Sequence, residues 1–203
     1  MYYGERLNAW THLIGTVLAL AGTVWLLASS SGNVWKTTGC AIYGVTLVVL
    51  YSASTAYHSV RGRAKTVFRQ LDHLSIYLLI AGSYTPFCLV TLRGPWGWSL
   101  LGIIWTLAVL GIVQEMRPKP GPRVLSVVIY ATMGWIILIA INPLLEALGK
   151  AGLYWLAAGG AAYTIGIVFY AFDKRYRHWH GIWHLFVIAG SLFHFIAILF
   201  YVV

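Results

Sequence analysis

The chain has 203 residues, 60% of them apolar and 9% charged, with a formal net charge of +9. Soluble domains carry roughly 25% charged residues, so this composition excludes an ordinary soluble domain and predicts an integral membrane protein. The basic residues fall in short clusters between apolar runs and form no nucleic-acid motif, which sets nucleic-acid binding aside in favour of contact with anionic lipid headgroups.

Residues 1–6 contain Glu5, and no small-residue cleavage site follows a short apolar core. The first apolar run is therefore expected to be a retained helix rather than a signal peptide. Seven runs are long enough to cross a hydrocarbon core, which needs about 20 residues. They are 11–29, 38–58, 72–92, 97–114, 124–142, 153–172 and 181–203. The breaks at 30–36, 59–71, 93–96, 115–123, 143–152 and 173–180 are marked by Gly, Pro or charge. None is long enough for a second domain. The expected fold is all-α, a single seven-transmembrane helix bundle over 1–203, with Trp and Tyr as interfacial anchors.

In the first run, Glu5, Asn8 and His12 fall at spacings of three and four, on one helical stripe. They read either as support for a nearby site or as a capped, solvated helix start with a snorkelling polar face. In the second, Ser54 precedes His58 by one turn. The third opens on Asp72, with His73 pointing about 100° away from it. Cys40 and Cys88 lie inside apolar runs and are expected to be buried free thiols. A disulfide would require both near one membrane face.

The last run opens on His180 and His184, four residues apart and so on one helical face, a spacing that suits two ligands of one Zn²⁺. His178 diverges from His180 by about 200° and is read as interfacial. His194 lies about 15 Å farther along the helix, too far to share the metal. It reads as a buried hydrogen-bonding histidine or as a cavity-lining one.

Orientation follows from Lys and Arg on alternate sides of the runs. One side receives Arg6, Arg61, Arg63, Lys65, Arg69, Arg117, Lys119, Arg123, Lys174, Arg175 and Arg177; the other receives Lys36, Arg93 and Lys150. Eleven against three predicts a cytoplasmic N-terminus and an extracytoplasmic C-terminus. His58, Asp72, His180 and His184 then meet at the cytoplasmic level from three helices. Three neutral imidazoles would leave one position of a tetrahedral Zn²⁺ for water, the arrangement of catalytic zinc. Asp72 would ligate directly or act as general base, and Ser54 would contact the water or substrate, orient His58, or simply bond its own helix. Ala21-Gly22-Thr23, Ala81-Gly82-Ser83 and Ala189-Gly190-Ser191 recur about 15 Å below His12, Asp72 and His180, where small residues permit close helix packing.

Together, Glu5-x2-Asn8-x3-His12, Ser54-x3-His58, Leu71-Asp72 and His180-x3-His184 resemble the haemolysin III branch of the progestin and adipoQ receptor (PAQR) family. The resemblance spans nearly the whole chain. It implies zinc held by His58, His180 and His184, with Asp72 and Ser54 close to the metal-bound water. The family is grouped with alkaline ceramidases among membrane metal-dependent hydrolases, and bacterial relatives are linked to membrane homeostasis. Eukaryotic members that receive adiponectin or progestins carry a further N-terminal domain, so hormone reception is not expected here.

Three functions follow as expectations. The first is a zinc-dependent hydrolase of a lipid amide or ester at the cytoplasmic leaflet, resident in a bacterial inner membrane. The second is a non-enzymatic, zinc-stabilised sensor or receptor. The third is a cytolysin, which would need a polar stripe through the bilayer that the second, fifth and seventh runs lack. Membrane lipids are the expected partners.

Overall fold

In hydrocarbon every backbone N–H and C=O must find its partner within the protein, so apolar runs of this length fold as helices. The computed structural model describes residues 4–117 and 124–203, and all regular structure among them is helical. Lys119 and Arg123, counted above on the basic side, lie outside the described residues. The elements are α1 (Arg6–Ser29), α2 (Val34–Ser59), α3 (Gly62–Pro86), α4 (Pro95–Met116), α5 (Val124–Trp135), α6 (Ile141–Ala171) and α7 (Trp179–Tyr201). Six helical stretches among the described residues are long and apolar enough to cross a membrane: α1, α2, α3 with its extension, α4, Val124–Ala171 and α7.

The helix boundaries differ from the apolar runs for a physical reason. Hydropathy follows the depth of the bilayer, whereas a helix continues as long as its backbone is satisfied. Thus α3 begins at Gly62 rather than at Asp72, and the break expected at 59–71 shrinks to Val60 and Arg61. Asp72 consequently sits within a helix, not at its start. Pro86 lacks an N–H and clashes with the preceding turn, and the helix widens to a π turn over Phe87–Thr91.

The expected break at 143–152 is helical too. A 3₁₀ segment, Ile136–Ala140, joins α5 to α6, and Pro143 falls in the first turn of α6, where its missing N–H is harmless. The chain bends instead at Gly149, with φ 65° and ψ 177°, which is left-handed backbone that glycine adopts freely. Val124–Ala171 spans 48 residues, roughly 72 Å if straight and more than twice a hydrocarbon core.

The best-buried helices are α2 and α3. They pack on each other, with α1 against α2 and α6 against α7. Trp10, Val17 and Val24 of α1, Val109 and Leu110 of α4 and Phe200 of α7 face outward, as a lipid-exposed surface requires. Lipid gives helices no hydrophobic reason to associate, so close packing and hydrogen bonds do this work. Gly82 admits the side chain of Thr46, and a Cβ at Gly190 would come within 2.7 Å of the Tyr163 ring. The hydroxyl of Tyr43 donates to the Ser191 carbonyl at 2.9 Å, that of Tyr51 donates to Ser191 Oγ at 2.8 Å, and Tyr163 shares the same Oγ at 2.8 Å. Ser191 thereby ties α2 and α6 to α7. Cys40 and Cys88 are both buried and free.

Candidate metal centre

Two short connections bring the polar groups together. The turn between α2 and α3 leaves His58 beside Lys65, and the turn between α6 and α7 folds Asp173 back under His180. That second turn ends on His178, whose φ of 68° places it in left-handed backbone at the N-cap of α7, where it is exposed.

One ring nitrogen from each of His58, His180 and His184 lies within 4.8 Å of the other two. Their tautomers follow from their partners. His58 Nδ1 is 2.6 Å from Glu5 Oε2, and His180 Nδ1 is 2.7 Å from Asp173 Oδ2. A carboxylate only accepts, so each Nδ1 carries a proton, and in the neutral ring this leaves the lone pair on Nε2. His184 Nδ1 is 3.1 Å from the Asn8 carbonyl, which fixes the same tautomer, and Thr11 Oγ1 stands at 3.1 Å as well. The Nε2 atoms of His58 and His180 are buried without a hydrogen-bond partner among the described residues. Three imidazoles each held through Nδ1, which leaves Nε2 as the donor, are the set a Zn²⁺ ion takes, and the carboxylate–histidine pairs are its usual outer support. The residues fit the metal.

The N-terminal stripe surrounds this cluster. Glu5 accepts from His58, from Lys65 Nζ at 2.9 Å and from Asn8 Nδ2 at 3.1 Å. Burial pushes the Glu5 carboxyl up, but the hydrogen bonds from His58 and Lys65 outweigh it and hold the group down at about 2. Asn8 therefore contributes both its side chain, to Glu5, and its carbonyl, to His184. His12 stacks on the His184 ring with centroids 3.6 Å apart and meets the edge of Tyr51 at 5.0 Å. Both of its nitrogens are buried without a partner among the described residues.

Ser54 and Asp72 are buried on the wall of a cavity of about 110 Å³ that His12, His180 and His184 also line. Ser54 Oγ has no partner among the described residues. From this polar end the cavity runs between α3, α5, α6 and α7, past Ile76, Ile80 and Tyr163, to His194. His194 hydrogen-bonds the Leu156 carbonyl at 3.3 Å. His73 is buried beside Asp72 and lines the same cavity, with Nδ1 3.8 Å from Glu115 of α4. Thr11, Lys65 and Asp173 are not singled out by the sequence patterns. Asp173 does carry a usable signal, since the chain has only five Asp and Glu residues and this one stands alone in a basic turn.

The model of a family described as haemolysin-III related matches residues 2–195. The chain belongs to that family. It is 44% identical to hemolysin-3 of Bacillus cereus over 201 residues, which is 98% of this chain and 91% of the relative. Identity to the hemolysin-3 homolog of Bacillus subtilis is 41%, covering 98% and 94%. The human monocyte to macrophage differentiation factor is 31% identical, covering 97% and 83%. This haemolysin-III protein thus falls in the haemolysin III branch of the PAQR family, in line with its motifs. Membership and the helices together make it an integral membrane protein.

Proposed function

We propose that this haemolysin-III protein is a zinc-dependent hydrolase of a lipid amide or ester, working at the cytoplasmic leaflet of a bacterial inner membrane. One observation carries the reading: three Nδ1-tethered histidines present their lone-pair nitrogens beside an acid and an unpartnered hydroxyl, at the polar end of a long apolar cavity. The topology that goes with it has seven crossings, with Val124–Ala171 counted as two, a cytoplasmic N-terminus and an extracytoplasmic C-terminus. The basic residues support it, because Lys65 joins the histidine end while Lys36 and Arg93 gather at the other.

His58, His180 and His184 would hold Zn²⁺, which supplies Lewis-acid polarisation of a carbonyl and lowers the pKa of water. The hydrocarbon part of the substrate lies along the apolar walls with its carbonyl at the histidine end. Asp72 accepts the proton of the attacking water and returns it to the departing amine or alkoxide. Ser54 donates a hydrogen bond to the carbonyl oxygen and so fixes its orientation. Glu5, Asn8, Thr11 and Asp173 hold the imidazoles, and His12 covers the face of His184.

The test is elemental analysis of the purified protein, followed by incubation with a library of lipid amides and esters, for wild type and His184→Ala. The expected result is zinc in the wild type, with turnover of a lipid that His184→Ala leaves intact. Zinc in the wild type with turnover equal to that of His184→Ala would end the enzymatic reading. It would favour instead a metal that staples α1, α2 and α7, because the tethers of its three histidines come from separate parts of the chain.

A further inference from the structure

His194 sits at the other end of the same cavity, ten residues beyond His184 and so roughly 15 Å farther along α7. Its surroundings define one chemical deficit. The Leu156 carbonyl can only accept, so the hydrogen bond at 3.3 Å puts the ring proton on Nε2 and leaves Nδ1 as a lone-pair acceptor. That Nδ1 is buried and has no partner among the described residues. The Cδ2–Nε2 edge of the ring lies against Gly159 of α6, where a Cβ would overlap it. In an imidazole Nδ1 lies opposite that edge, so it is directed away from the α6 backbone. The ring is also held at the edge of Tyr163, centroids 5.5 Å apart.

The polar groups around it are already engaged. Thr164 Oγ1 donates to the Gly160 carbonyl at 2.7 Å and accepts from Trp135 Nε1 at 3.0 Å. Tyr163 is bound to Ser191, Tyr84 donates to the Met133 carbonyl at 2.6 Å, and Ser83 donates to the Leu79 carbonyl at 2.7 Å. A single unfilled acceptor in a low-dielectric interior is costly. A water there needs two or more polar partners, whereas a group on a bound chain is already anchored by that chain.

We propose that His194 forms a second polar subsite, which accepts a hydrogen bond from a hydroxyl carried on the hydrocarbon chain of the ligand, roughly 15 Å from the end held at the histidine cluster. A carbonyl, an ester or a double bond offers no proton to Nδ1 and gains nothing there. The preferred ligand is therefore a long-chain lipid hydroxylated near mid-chain. This rests on the reading of the cavity as a lipid site.

The experiment measures binding of stearic acid, mid-chain-hydroxylated stearic acid and an isomer hydroxylated next to the carboxylate, to the full chain purified in detergent. The readout is the concentration dependence of thermal stabilisation. The mid-chain hydroxyl is expected to bind about three- to tenfold more tightly than stearic acid, the range of one neutral hydrogen bond. His194→Phe is expected to lose that preference while still binding stearic acid. Equal binding of all three acids by the wild type overturns the subsite and leaves the lipid cavity standing. No binding of any acid overturns both. Should His194→Phe fail to fold, the isomer decides: a preference as strong for the hydroxyl beside the carboxylate as for the mid-chain one would contradict a subsite at His194.

Discussion

The two ends of the helix bundle handle their polar groups differently. At the end where α1 finishes and α2 begins, they close on the chain itself. Asn33 accepts from the backbone N–H groups of Trp35 and Lys36, Lys36 donates to the Val203 carbonyl, and Arg93 lies over the Trp35 ring at 4.5 Å. Near them, Thr91 keeps a buried hydroxyl without a partner among the described residues. At the histidine end the tethers are just as complete, yet His12, Ser54, His58 and His180 all retain buried atoms with no partner among the described residues. An unfilled buried polar group costs about 1–3 kcal/mol, so a cluster of them is not a structural economy. The first end is built to finish helices. The second is built to hold something.

That contrast can be broken experimentally. The largest effect is expected from His58→Ala, which removes one of three donors and should leave the purified protein with little or no bound zinc by elemental analysis. Zinc retained at the wild-type level would show that the metal is held elsewhere. Asp173→Asn keeps the shape of the side chain and its contact with His180 but removes the charge. It should weaken zinc binding about 10- to 100-fold in competition with a chelator, as loss of an outer partner commonly does. An unchanged affinity would reduce Asp173 to a turn residue. The smallest effect should come from Lys36→Met at the opposite end, which loses one partly exposed hydrogen bond. It should shift unfolding by no more than about 1 kcal/mol and leave zinc content unaltered; a drop in zinc would mean that the two ends are coupled.

Much of this site is legible in the sequence because it depends on two simple regularities. Alternation of basic clusters assigns each run an end, and a spacing of four puts His180 and His184 on one face. Together they place His58 and Asp72 with that pair. Asp173 and Lys65 escape such reasoning because they lie in stretches that look like breaks, where neither periodicity nor hydropathy says which way a side chain turns. Only the left-handed turn at His178 and the two-residue connection at Val60 and Arg61 bring them inward. Thr11 escapes it because a hydroxyl in a membrane helix usually bonds its own backbone. It does so here, to Leu7, while also reaching His184. The α5–α6 region misleads in another way: Pro143 and the glycines after it look like a loop, yet the proline is tolerated in the first turn of a helix and Gly149 takes the bend alone.

The tethers of the histidines also tune the nitrogens they leave free. Glu5 and Asp173 each place a carboxylate behind an imidazole, at 2.6 and 2.7 Å, and the Asn8 carbonyl stands behind His184 at 3.1 Å. An acceptor on Nδ1–H fixes the orientation of the ring and makes the opposite nitrogen more basic. A charged acceptor does this more strongly than a neutral carbonyl. The three rings are thus graded as donors by what stands behind them, although their own chemistry is the same.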